Sequence, residues 1–181
     1  TRDTSTIKTN IKAIVTAYND AVTIFGEVSD PKSTMDTYGA TLVGDSTVRS
    51  VKQQLRSMVM GPSSTPGDSV GSLWQMGISI DQTGVMSMDD TKLDAALNDH
   101  YTDVVKAFTG NQNGLSIYSP APAGIAGDAV KKLSNMLGKT GILVTQSDSA
   151  DSQNTKYKAE LTKLQTRMDA LLLRYQKQFS S

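Results

Sequence analysis

The sequence contains no cysteine, one histidine, one tryptophan and three phenylalanines. The first absence excludes disulfides, thiolate metal sites and cysteine nucleophiles. The second leaves His100 as the sole imidazole, so a transition-metal centre would have to be completed by several carboxylates. The expected place for His100 is a partly exposed helix end. Charge of either sign is not in excess. The 18 lysines and arginines balance 18 aspartates and glutamates, which gives no electrostatic reason to expect nucleic acid or an anionic membrane as partner. No apolar run approaches the length of a membrane span. Motifs of chemistry are missing too: no P-loop, no G-x-G-x-x-G and no G-x-S-x-G around any serine. Asp81, Asp89 and Asp90 near Gly84 lack the ligand order of an EF-hand, and a turn plus a helix cap accounts for all three. Neither an enzyme nor a cofactor is expected.

What the chain does have is heptad periodicity at both ends. Ile7, Ile11, Ile14, Tyr18, Ala21 and Phe25 alternate at spacings of four and three, which predicts a helix over 6–28 with an a/d seam. Gly26 and Asp30-Pro31 end it. Tyr157, Leu161, Leu164, Met168, Leu171 and Tyr175 repeat the alternation, predicting a terminal helix over 148–181. The two seams are expected to pack antiparallel on each other, leaving little apolar surface exposed. The chain starts at Thr1 and stops at Ser181 inside a helical pattern, so it is expected to be a piece of a longer protein.

Between the long helices, residues 45–145 read as a small α+β insert. Asp45 caps a helix carrying Val48, Val51, Leu55, Met58 and Val59, which ends at Gly61-Pro62. Ile78 and Ile80 alternate with polar residues, as do Met86 and Met88, and Gly84 is free to take positive φ between them. That is a β-hairpin. The methionines are expected as core filler on its buried face, and Trp74 is expected in the core. Asp89 or Asp90 caps a short helix with Leu93 and Leu97, and another, carrying Val104 and Phe108, closes at Gly110. A helix follows with Ile125, Ala129, Val130, Leu133 and Leu137, then Ile142-Leu143-Val144 as a short strand. The fold class is mainly α, with two long antiparallel coiled-coil-like helices flanking the insert in a single domain over 1–181.

Several stretches also carry a family resemblance. Ile11 to Asp20, with its Ala17-Tyr18-Asn19 run, resembles a helix of the flagellar filament capping (hook-associated protein 2) family. Leu42 to Arg49 is similar to that family's next helix start. Leu73 to Ile78, with Asp81, Thr83-Gly84, Met88-Asp89 and Leu93, looks like its hairpin signature, although an aliphatic residue would be expected at Met86 or Met88. The resemblance implies a leg-like, carboxy-terminal part of a ring-shaped cap at the flagellum tip, outside the cell, exported through the flagellar secretion channel. It implies self-association and contact with flagellin, with hook–filament junction proteins and an export chaperone as further partners. It implies no cofactor and no metal. Two other classes stay open from the residues: an adhesin, which needs exposed aromatics around a polar cleft, and a cell-wall hydrolase, which needs paired carboxylates in a groove.

Overall fold

The computed structural model describes residues 2–179 except 113 and 115. The chain divides into two compact units, 1–135 and 136–181, and no helix among the described residues is long and apolar enough to cross a membrane.

The first unit is organised by α1 (Thr4–Ser29). Asp3 caps it, its carboxylate accepting from the Thr6 amide at 3.0 Å, which satisfies one of the first-turn N–H groups. The helix ends where the Asp30 amide donates to the Gly26 carbonyl at 2.9 Å. Its buried residues are Ile11, Tyr18 and Val28, and within the unit the helix lies against α2 (Ser46–Met60) and strand β2 (Met86–Met88). Asp45 caps α2 by accepting from the Thr47 amide at 2.6 Å, and Val48, Val51, Met58 and Val59 are its buried residues.

A one-turn 3-10 helix (Trp74–Met76) leads into β1 (Ile78–Ile80), which pairs antiparallel with β2. The register sets Ile78 opposite Met88 and Ile80 opposite Met86. At the turn the Asp81 carboxylate accepts from the Thr83 amide, the Thr83 hydroxyl and the Val85 amide at 2.8, 2.7 and 3.0 Å, and Gly84 takes φ +92°. Only glycine reaches that region at no steric cost. Asp89 then caps α3 (Asp90–Asp99), which is followed by α4 (Tyr101–Thr109) and α5 (Gly124–Leu137). The core lies where these elements meet, with Met76, Leu93, Leu97, Val104 and Ala107 almost wholly buried.

The unit is finished by side chains that bond to backbone. Ser63, itself buried, donates to the Ala107 carbonyl at 2.6 Å, and Thr65 donates to the Lys106 carbonyl at 2.7 Å. Both carbonyls belong to the last turn of α4, where intrahelical donors run out; the Lys106 carbonyl also accepts from the Gly110 amide at 2.8 Å.

The second unit is α6 (Ile142–Phe179) with the end of α5 before it. At 38 residues α6 is about 57 Å long. It begins at Ile142 rather than at 148, so Ile142-Leu143-Val144 is its first turn and not a strand. The Thr145 amide closes that turn on the Gly141 carbonyl at 3.0 Å. Branched residues favour strands only where a partner strand lets them pack, and no strand lies among the described residues of this unit.

Two expectations about burial are corrected. Trp74 is 72% exposed, because the 3-10 turn directs its neighbours Leu73 and Met76 inward and leaves Trp74 on the outer side. On α6 the seam is open: Tyr157, Leu161, Leu164, Met168, Leu171 and Tyr175 are exposed, between 42% at Leu171 and 65% at Leu161. No residue of the helix is buried. Among the described residues its unit holds only the end of α5 besides α6.

Candidate assembly surfaces

The sequence-predicted residues fall into three groups. On α1, Ile11 and Tyr18 are buried and Ile7 and Phe25 half-buried, so this seam is largely consumed inside the first unit. Ile14, at 36%, instead lines an open apolar groove of about 290 Å³ with Ala17, Leu55, Ala129, Val130 and Leu133. On the hairpin, Ile78, Ile80 and Met86 are buried and Met88 is half-buried, so one face does pack on the core while Ser79 and Ser87 face solvent. The α6 residues remain together as a continuous exposed stripe. Its far end is stiffened by Tyr175 stacked on Phe179 one turn later, centroids 6.4 Å apart.

No titratable cluster stands out as chemistry. Among the described residues no three His, Asp or Glu side chains lie close enough to hold a metal ion. His100 is exposed at the junction of α3 and α4 and caps neither through its side chain. Asp81 is held below the usual carboxylate range by the Thr83 hydroxyl and then the Val85 amide, and those bonds are the turn itself.

Two structural devices escaped the sequence reading. The first is Asn19, whose side-chain amide donates to the Met86 carbonyl at 2.9 Å and accepts from the Met86 amide at 2.8 Å. A carboxamide offers the donor and acceptor of a peptide group, so one side chain ties α1 to the hairpin with both partners satisfied. Asn19→Ala is expected to cost about 1–3 kcal/mol by orphaning two part-buried backbone groups. Asn19→Asp should cost more than a surface change because its acceptor faces the Met86 carbonyl. Unaltered melting temperatures in both variants would contradict this anchoring role.

The second device is an ion cluster between α1 and α3. The Lys8 ammonium sits 2.8 Å from Asp94 and 3.0 Å from Asp90, and Lys12 lies 3.2 Å from Asp90. Asp90 is held below the usual carboxylate range, first by Lys8 and then by Lys12. Lys8 is raised by Asp94 and then Asp90. The signs follow from linkage. A depressed carboxyl stabilises the fold above its unfolded pKa, and that contribution is lost as pH falls through its folded value, below about pH 4. A raised lysine contributes below its unfolded pKa and loses the contribution in strong base. Asp90→Asn should therefore flatten the acid limb of the stability curve, the more visibly at low salt because the groups are exposed. An acid limb identical to that of the native chain would rule the cluster out as its source.

A fold completed by caps and short polar ties, with an apolar groove and its longest helix left uncovered, defines a helical packing module. The family model described as the C-terminus of flagellar hook-associated protein 2 matches residues 1–181, and the chain belongs to that family. It is 29% identical over 187 residues to flagellar hook-associated protein 2 of Escherichia coli (strain K12), covering 99% of this chain and 38% of that protein. With the A-type flagellar hook-associated protein 2 of Pseudomonas aeruginosa, identity is 34% over 113 residues, or 61% of this chain and 23% of that one. The solved D1-D2-D3 domains of the flagellar cap protein FliD from Escherichia coli superpose with a TM-score of 0.66 at 31% identity, covering 82% of this chain and 37% of that one. The chain thus spans about two fifths of the length of its Escherichia coli relative.

Proposed function

We propose that this chain is a leg-like structural part of a flagellar filament cap, and that the α6 seam is a face along which it packs in the assembled cap. One observation carries the reading: a 38-residue helix whose residues 157–175 carry an unbroken heptad seam, none of it buried. Exposing that much apolar surface is unfavourable in a chain that ends its work alone, and knobs-into-holes packing against another helix removes it. Membership of the hook-associated protein 2 family and likeness to a solved cap protein support the same role. In this role the parent protein forms a ring with copies of itself at the distal tip, outside the cell. There it promotes the folding and insertion of flagellin, after export through the flagellar secretion channel. Hook–filament junction proteins and an export chaperone are its further partners.

The test is genetic. The parent protein carrying Leu164→Lys and Leu171→Lys is returned to a cell lacking its own cap protein. Motility and filament length should fall to the level of the deletion, and flagellin should be shed into the medium. The first unit should keep its melting temperature, since both positions are exposed in the chain. Full motility with normal filaments would sink the seam as an assembly face.

A further inference from the structure

We draw no further inference here: the strongest candidate, the open cleft at the end of α3 where Trp74 stands beside Lys92, Asp99 and His100, carries none, since nothing in the structure shows what covers or occupies it.

Discussion

Leu93→Ala is expected to lower the unfolding free energy by about 2–5 kcal/mol, while Leu164→Ala leaves it within about 0.5 kcal/mol. The two residues are chemically identical and differ in surroundings. Leu93 has no exposed surface in the core beneath α3, so truncation loses its transfer energy and leaves a cavity that close-packed neighbours refill only in part. Leu164 is 54% exposed on α6 and gives up little that water does not already share. For a unit of this size the first change corresponds to roughly 5–15 °C in melting temperature. Calorimetry on this chain separates the pair. A comparable loss in both variants would mean that the α6 seam is buried in solution.

Gly124→Ala should be nearly as damaging, for a different reason. Gly124 starts α5 at φ +72°, and a β-carbon there would lie 2.5 Å from the carbonyl carbon of Phe108. The neighbour is backbone at the end of α4, so it cannot turn aside as a side chain could. Left-handed backbone costs about 1–2 kcal/mol for alanine, and forced overpacking adds about 1–3 kcal/mol. Gly44 is the control: φ is +76°, but no atom lies within 4 Å of an added β-carbon, so Gly44→Ala should show the backbone cost alone. Equal melting temperatures for the two variants would show that α5 seats on α4 less closely than described.

Much of the fold was readable where its causes are local. Asp45 and Asp89 sit just before apolar periodicity and do cap α2 and α3. Gly84 and Gly110 mark a turn and a helix end through their backbone freedom. The unread parts depend on distant partners. Asn19 meets Met86 from 67 positions away, and Ser63 meets Ala107 from 44; neither leaves a periodic trace. Trp74 was misplaced because size and apolarity say how strongly a residue prefers burial, while the 3-10 turn decides which way it points. The α6 seam was legible as a seam. Which surface covers it was not, because heptads specify packing with a helix without specifying which helix.

The Asn19 tie has a consequence for the exposed edge of the hairpin. A two-stranded sheet is all edge, and an uncovered strand is a template on which another chain can add. The Met86 N–H can donate once, and it donates to Asn19, so an incoming strand finds that position already taken and α1 standing beside it. The short strand length limits what remains. The β2 edge is thereby blocked at Met86 by a single carboxamide, while on the β1 edge the Ile78 amide donates to the Leu73 carbonyl at 3.0 Å.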